Sequence, residues 1–376
     1  MIRIKITYLL TVAISILLLF LGHKIATANL FIFQDDSHEI VRASVQSVSG
    51  RTSLDADFEE HLPILGERII FEAKITSGAG KGEIVTATQT FSSFTPLAQR
   101  EVSRGSSILL IHSNNEWYFN GFMRVNRLLG LGIAFALSVL LFGRAKGFNT
   151  ILSLGLTCAS IFAVFIPSIL SGKNIYVMSV LVCIYTMAMT LLIVIGYNKK
   201  SLAAVAGCAG GVMAAGIIAL IMDRALYLTG IVDEHSRYLV NLPGDIQLNL
   251  RAIIFAGIIV GAMGAIMDVA ISISSSLWEI KEKGRILKFN ELFRSGLTIG
   301  RDIMGSMANT LILAYIGSSL TVVLLLSVFS GSLLGLFNSE MIAVEILQAL
   351  AGSFGILFAM PLTALFCSLI YLKDDK

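Results

Sequence analysis

Long apolar runs separated by short polar stretches occupy most of this sequence. The first run covers residues 8–21, and later runs cover 128–142, 151–170, 176–197, 202–222, 252–272, 303–328 and 342–372. A helix of about 20 apolar residues crosses the roughly 30 Å of hydrocarbon in a bilayer. The pattern therefore predicts an α-helical polytopic membrane protein with about eight transmembrane helices and the lipid bilayer as its surroundings.

Residues 30–122 follow a different pattern, in which apolar and polar side chains alternate over short segments. These segments are 38–48, 68–77, 82–91, 107–113 and 116–122. Alternation with a period of two is typical of strands that bury one face, and the turn from Gly78 to Gly82 predicts a hairpin. We expect a small all-β domain after the first helix, either an OB-like barrel or a small sandwich.

The patterns divide the chain into regions. They are an N-terminal transmembrane anchor at 1–29, the β-domain at 30–122, transmembrane helices 2–4 at 123–200 and helices 5–8 at 201–376. The last region includes a basic amphipathic segment at 273–300, which we expect to lie along the cytoplasmic membrane surface. We expect the first helix to remain as an anchor, although Ala26 and Ala28 are spaced like a cleavage site and leave a signal peptide open.

Composition and charge agree with a membrane protein. Of 376 residues, 55% are hydrophobic and 14% are charged, and the net charge of +3 is too small to indicate nucleic acid as a partner. Lys and Arg are concentrated in every second connection, such as 144–146, 199–200 and 281–301. This positive-inside bias predicts a protein of the bacterial cytoplasmic membrane with both termini in the cytoplasm and the β-domain outside.

The four cysteines lie within apolar runs and form no CxxC pair or His/Cys ligand spacing. We therefore expect no metal site, no cofactor and no disulfide framework. The sequence also contains no HExxH or GxSxG motif and no nucleophile paired with a base. We expect no catalytic residues, and the chain is not predicted to be an enzyme.

One face of the helix at 252–272 is small and polar. At helical spacing it carries Gly257, Gly261, Gly264, Asp268 and Ser272. A carboxylate at bilayer depth costs on the order of 3 kcal/mol on insertion scales, so Asp268 requires a partner or a water-filled site. The glycines predict close helix packing. Whether Asp268 has a functional role or only a structural contact, for example with Lys281, stays open from the sequence.

The next membrane helix has a similar stripe. Its residues are Asp302, Ser306, Thr310, Ala314 and Gly317, with Gly305 and Asn309 beside them. If the two helices are antiparallel neighbours, Gly261 meets Ala314 and Gly257 meets Gly317 at matched depths. Asp302 is expected to cap the start of its helix. The two stripes predict one polar cluster near the cytoplasmic leaflet, consisting of Asp268, Ser272, Ser306, Asn309 and Thr310.

The last helix adds secondary candidates. Glu345 and Gln348 lie near its outer end, where they are further polar positions at bilayer depth. Gly352 and Gly355 continue the same face and are expected to be packing positions.

Two stretches of the sequence resemble a known family. They are residues 261–280, GAMGAIMDVAISISSSLWEI, and residues 300–311, GRDIMGSMANTL. Both are similar to the YibE/F family of bacterial multi-pass membrane proteins, and the β-domain and residues 352–361 fit the same family. The resemblance implies the architecture described above but no biochemical activity, because family membership alone does not define chemistry.

The patterns lead to two functional hypotheses. In the first, the protein moves a small solute or ion, with Asp268 as the coupling or binding carboxylate and the other residues of the cluster as ligands or a proton relay. In the second, it is a non-transporting scaffold or accessory component of a secretion or envelope complex. Its partner is then a membrane protein or a second copy of this chain, and the β-domain makes the contact.

Overall fold

The computed structural model describes residues 2–28, 39–56, 64–78, 80–91, 100–113, 115–240, 247–283, 288–329 and 332–372. The chain forms two compact units. One covers residues 32–138, and the other combines residues 1–31 with 139–376. Each unit has its own hydrophobic core.

The smaller unit contains a closed five-stranded barrel. Its strands are β1 (Glu39–Ala56), β2 (Ile64–Ile75), β3 (Ile84–Phe91), β4 (Ser107–Ser113) and β5 (Glu116–Phe122). The order around the barrel is β1-β2-β3-β5-β4, and β4 pairs back with β1. All pairs are antiparallel except β3 with β5. This is an OB-like barrel, so the alternative of a sandwich is wrong.

Alternation along the strands fills the barrel. Val41, Ala43 and Val45 on β1 are buried, and the residues between them are more exposed. The predicted hairpin joins β2 and β3, where Gly82 donates a main-chain hydrogen bond of 2.9 Å to the carbonyl of Ile75. Gly82 has a φ of +100°, which a residue without a Cβ adopts readily. Residue 79 of this turn lies outside the described residues.

The rest of the described chain is mainly helical. The helices are α1 (Ile2–Thr27), α2 (Val125–Ala159), α3 (Ile166–Leu170), α4 (Ile175–Val194), α5 (Lys199–Ala225), α6 (Glu234–Val240), α7 (Leu250–Glu282), α8 (Phe289–Ser318), α9 (Leu320–Phe329), α10 (Leu333–Asn338) and α11 (Glu340–Tyr371), and a π-helical stretch, Ser160–Phe165, joins α2 to α3.

Several of these helices are long and apolar enough to cross a membrane. Among the described residues, six stretches meet the requirements of length and composition: Ile6–Thr27 in α1, Val125–Leu170, and the helices α4, α5, α7 and α11. The pair α8 and α9 makes a seventh candidate, bent by 58° at its break. Such apolar helices are compatible with a membrane protein.

A sharp bend divides the long stretch Val125–Leu170. Arg144 has φ +49° and ψ −127°, which is not helical. A Cβ added at Gly147 would lie 3.0 Å from the carbonyl carbon of Val139. In a straight helix, residues this far apart in sequence are separated by about 12 Å along the axis. The chain therefore turns back on itself here, between the two runs that the sequence pattern separates.

Helix α1 is joined to the rest of the larger unit by hydrogen bonds at two points. The hydroxyl groups of Ser15 and Tyr185 are 2.5 Å apart, which joins α1 to α4. Near the other end of α1, the Ser171 hydroxyl donates a 2.7 Å hydrogen bond to the carbonyl of Ala26. Ser15 and Ala26 are fully buried.

Helix α7 lies at the centre of the larger unit and packs against α4, α5, α8 and α11. The helices α5 and α11 approach each other most closely at glycine. A Cβ at Gly211 would lie 2.7 Å from both the Cβ of Ala359 and the carbonyl oxygen of Gly355. Bare backbone at these positions lets the two helices pack at short distance against Ile266 of α7.

The amphipathic segment predicted at 273–300 is divided between two long helices. Helix α7 continues to Glu282, residues 284–287 are outside the described part, and α8 starts at Phe289. The side chain of Glu291 accepts a 3.1 Å hydrogen bond from the main-chain N–H of Lys288 and so caps the start of α8. The segment is therefore divided between the end of α7 and the start of α8, which packs through the buried residues Leu292, Gly296 and Gly300, and its position at the membrane surface stays a prediction.

Candidate functional site: a polar track along α7

The polar stripe predicted on α7 is the exposed face of that helix. Gly257, Gly261, Gly264 and Asp268 are exposed and Ser272 is half-buried, whereas the opposite face is buried among α5 and α11. We call these five residues the polar track. The apolar face turns inward because its aliphatic side chains form the core, and this leaves the small and polar residues outside.

Asp268 has no hydrogen bond or ion pair with any described residue. The structural alternative of a contact with Lys281 is not formed, because Lys281 donates to the main-chain carbonyl of Tyr371 at the end of α11. Trp278, three residues before Lys281 in the sequence, packs edge-on against Tyr371. This contact joins the end of α7 to the end of α11. Asp268 therefore lies on an apolar helix with its carboxylate available to water, an ion or another chain.

Contacts between α7 and α8 set the register of the two helices. A Cβ at Gly300 would lie 3.2 Å from Ile273, and a Cβ at Gly261 would lie 2.5 Å from the hydroxyl of Tyr315. Interpolation between these contacts puts Asp268 about level with Ser306, since both helices rise about 1.5 Å per residue. The structure thus places Asp268 and Ser306 at one level, whereas Ser272 lies about one helical turn away from that level.

The polar side chains of α8 do not hydrogen-bond to Asp268. Ser306, Asn309 and Thr310 are exposed. The hydroxyl of Ser306 donates to the carbonyl of Ile303 at 2.9 Å, and that of Thr310 donates to the carbonyl of Ser306 at 2.7 Å. These hydroxyls can each still accept a hydrogen bond, so they remain able to bind a ligand.

The predicted pairing of small residues needs correction. Gly261 is covered by Tyr315 rather than Ala314, and the nearest side chain to a Cβ at Gly257 is Gln348 at 3.7 Å, not Gly317. The long side chains of Tyr315 and Gln348 fill the space next to these glycines, so the helix backbones do not pack directly against each other there. Gly264, Gly305 and Gly317 have no other atom within 4 Å of an added Cβ, so they are open positions.

Two other predicted positions can be placed on their helices. Asp302 is exposed and lies in the interior of α8, because that helix starts at Phe289, so Asp302 is not a cap. On α11, a Cβ at Gly352 would meet Leu311 at 2.8 Å, and one at Gly355 would meet Ile266 at 2.6 Å. Both glycines lie at crowded helix contacts.

A break separates two of the helices beside the polar track. Helices α8 and α9 meet at Ser319 with a bend of 58°. A cavity of about 190 Å³ lies beside this break and is lined by Tyr315, Ser319, Glu345 and apolar residues of α8, α9 and α11. The hydroxyl of Ser319 is buried and has no hydrogen-bond partner in the described structure. Glu345 and Gln348 therefore lie next to a broken helix.

This arrangement contains polar groups at two levels. Tyr315, Ser319 and Glu345 lie at the break, and Asp268 lies about level with Ser306 further along the two helices. The backbone of Gly261 and Gly264 runs between them along α7. Helix ends at a break present main-chain carbonyls that lack helical partners, and such groups coordinate ions in broken membrane helices.

Sequence reasoning missed Tyr315 and Ser319. Tyr315 is amphipathic and follows Ala314 in an apolar run, and Ser319 follows another serine, so neither has a distinctive local pattern. The consecutive pair Ser318 and Ser319 is the one available signal, because serines weaken a helix and often accompany bends.

Within the described residues, no group of three or more His, Cys, Asp or Glu side chains is placed to hold a metal ion.

Comparison with known proteins identifies a family for the helical part of the chain. A family model described as YibE/F-like protein matches residues 131–373. The match leaves the first 130 residues, including the barrel, outside its range, so it covers less of the chain than the sequence resemblance suggests. No curated protein and no solved structure matches the chain.

Proposed function

The chain belongs to the YibE/F-like family, and from this premise we propose that it is a multi-pass protein of the bacterial cytoplasmic membrane that moves a small solute or ion. The observation that carries the proposal is the exposed Asp268 carboxylate on the polar track of α7, together with the break between α8 and α9 beside Glu345. Broken helices next to membrane carboxylates are typical of ion and substrate sites in transporters.

Eight membrane spans are the number that the helices support best. The stretch Val125–Leu170 has 46 residues, or about 69 Å of helix at 1.5 Å per residue, which is more than twice the hydrocarbon thickness. Its bend at Arg144 allows it to make two spans. With α1, α4, α5, α7, the bent pair and α11, the total is eight, and the positive-inside bias then puts both termini in the cytoplasm and the barrel outside.

Each polar group has a role in this proposal. Glu345, Tyr315 and Ser319 bind the ion or solute in the outer half of the membrane, where the break supplies free main-chain carbonyls. Asp268 is the inner coupling carboxylate, and it exchanges a proton or ion at the level of Ser306. Ser272, Asn309 and Thr310 are neighbouring ligands or relay groups around it. The secondary candidate Gln348 holds the outer end of the track through its position near Gly257.

The test is ion flux in proteoliposomes made from the full chain. The probes are protons, followed by entrapped pyranine, and radioactive sodium, each driven by an imposed membrane potential. We expect Asp268→Asn and Glu345→Gln each to lower the rate about tenfold or more, which corresponds to ~1.4 kcal/mol or more of lost stabilisation. Each substitution keeps the side-chain size while removing the charge that the ion requires.

Matched control variants distinguish the loss of an ion-binding residue from a general disturbance of the protein. Glu279→Gln removes a carboxylate further along the same helix, where it is exposed and paired with Lys283 at 3.3 Å, and we expect the flux to stay unchanged. Ser319→Ala and Thr363→Val each remove a buried hydroxyl without a partner, and only Ser319→Ala is expected to lower the flux. Wild-type rates equal to those of empty liposomes, or no effect of Asp268→Asn and Glu345→Gln, would sink the proposal.

The second candidate is a membrane scaffold or accessory component of an envelope complex. The observation that favours it is the separate compact unit of residues 32–138, which contains the closed barrel. In this case the barrel captures a membrane protein partner or a second copy, and the helices serve as its anchor. The two candidates differ in which unit is indispensable.

A further inference from the structure

One cavity in the helical unit lies away from the polar track. It has a volume of about 690 Å³ and is formed where the starts of α4 and α7 meet the end of α5. Its polar end is lined by Tyr176, Asp223, Arg224, Asn249 and Arg251. Its apolar wall is lined by Val177, Val180, Leu181, Leu220 and Phe255. A cavity of this size falls within the range of about 300–1,000 Å³ that is typical of ligand sites.

At the polar end of the cavity, one arginine is paired with a carboxylate and another arginine is not. Arg251 binds Asp223 through two nitrogens, with Nε at 3.0 Å from Oδ1 and 3.1 Å from Oδ2. Arg224 is exposed and makes no hydrogen bond or ion pair with any described residue. The three charged groups therefore leave one positive charge at the polar end, although the Asp223 carboxylate also faces the cavity.

A second cavity adds another cation beside the first. It has a volume of about 240 Å³, shares Tyr176 and Asn249 with the larger cavity, and is also lined by Lys173. Lys173 is half-buried, and its ammonium group has no hydrogen-bond or ion-pair partner in the described part of the chain. Asn249 uses its side-chain oxygen to cap α7, accepting from Ala252 at 3.1 Å, which leaves its amide N–H groups available.

The apolar wall is open to the outside of the unit. Val177 and Leu181 are each 53% exposed, and Val180 and Leu220 are about 40% exposed. A soluble anion would bind to the cationic side chains of Arg224 and Lys173 but would leave this apolar wall exposed. An acyl chain covers such a wall, and burial of each CH₂ group contributes ~0.8 kcal/mol.

We propose that the two adjoining cavities bind one anionic phospholipid. Its phosphate head group lies at Arg224 and Lys173, with Tyr176 and Asn249 as hydrogen-bond donors, and an acyl chain lies along the wall of α4 and α5. Basic pockets between membrane helices bind anionic head groups in this way. The inference rests on the proposed membrane placement, in which this end of α4, α5 and α7 is the outer one, and it is independent of ion movement.

The test is native mass spectrometry of the purified full chain in detergent. The probes are phosphatidylglycerol and phosphatidylcholine with identical acyl chains, and inorganic phosphate alone. We expect wild type to bind phosphatidylglycerol about tenfold more tightly than phosphatidylcholine, and Arg224→Gln or Lys173→Gln to reduce this preference several-fold. Leu181→Trp should weaken both lipids, because it fills the space of the acyl chain.

Arg127→Gln is the matched control, because Arg127 is also exposed and lies near the start of an apolar helix but does not line either cavity. It should leave lipid binding unchanged. Equal affinity for the two lipids, or an equal effect of Arg127→Gln and Arg224→Gln, overturns the proposal. Competition by inorganic phosphate together with no effect of Leu181→Trp would show a site for a soluble anion instead. Asp268→Asn should abolish ion flux without changing lipid binding, so the two proposals can fail separately.

Discussion

At the scale of single residues, the glycines of the helical unit have two different surroundings. Gly207, Gly211 and Gly355 lie at contacts where even one additional carbon atom meets a neighbour, in some cases a main-chain atom. Gly264 and Gly155 lie on exposed faces with no other atom within 4 Å of an added Cβ. The first group permits close packing of α5 on α11, whereas the second only lowers helix stability relative to alanine.

Gly211→Ala and Gly155→Ala should therefore have opposite effects. A Cβ at Gly211 meets the carbonyl oxygen of Gly355 at 2.7 Å, and we expect Gly211→Ala to destabilise the protein by ~1–3 kcal/mol. Gly155→Ala adds a methyl group to an open helix face and should be neutral or stabilising by up to ~1 kcal/mol. The measurement is the thermal unfolding midpoint in detergent, and equal midpoints for the two variants would contradict the packing interpretation.

The sequence predicts the face on which Asp268 lies but not what covers that face. Helical spacing alone places Gly257, Gly261, Gly264 and Asp268 together. The atoms that approach these residues belong to side chains of the neighbouring helices α8 and α11. Tyr315 and Gln348 are long enough to reach the glycines of α7, and this replaces the predicted contact of backbone with backbone.

At the scale of elements, two breaks shape the helical unit. The first is the bend at Arg144, and the second lies between α8 and α9. Arg144 has φ +49°, a conformation that costs a residue with a Cβ about 1–3 kcal/mol.

Arg144→Gly should therefore stabilise the protein by ~1 kcal/mol, since glycine adopts this backbone conformation without strain. The matched control is Lys146→Gly, which removes a basic side chain in the following helical turn at ordinary helical geometry. That substitution should destabilise by ~1 kcal/mol. Chemical denaturation in a fixed detergent measures both variants, and a loss of stability in Arg144→Gly would show that the bend is not strained.

Elements with local patterns were predicted well, and those decided by distant contacts were not. The strands β4 and β5 coincide with the predicted segments, because alternation and turn residues are local signals. The start of α8 was placed near Asp302 because apolar length was used as its boundary. The actual start at Phe289 depends on the Glu291 cap and on packing of Gly296 against Ala364.

At the scale of the whole molecule, the two units offer a test between the two candidate functions. Deletion of residues 38–121 removes the barrel and leaves α1 and the helices after residue 122. If the helices carry ion movement, flux in proteoliposomes should fall by no more than about threefold, because Asp268 and Glu345 lie in the other unit. Full-length protein with Asp268→Asn is the control and should lose its flux with the barrel intact. No flux from the full-length chain, together with capture of a membrane protein partner that is lost on deletion of the barrel, would favour the scaffold candidate.

Closure of the barrel restricts how a partner can bind to it. Each of the five described strands has a hydrogen-bonded neighbour on both sides, since β4 pairs with β1 and β3 pairs with β5. Proteins that recognise extended peptides often do so by adding a strand to a free sheet edge. That mode requires unpaired main-chain groups, which these strands offer only beyond the short stretches that close the barrel, since β3 pairs with β5 through two residues and β1 pairs with β4 over residues 39–44. Over the paired part of the barrel, a ligand can be bound only through side chains and loop backbone, so point substitutions on that surface should be able to abolish its recognition.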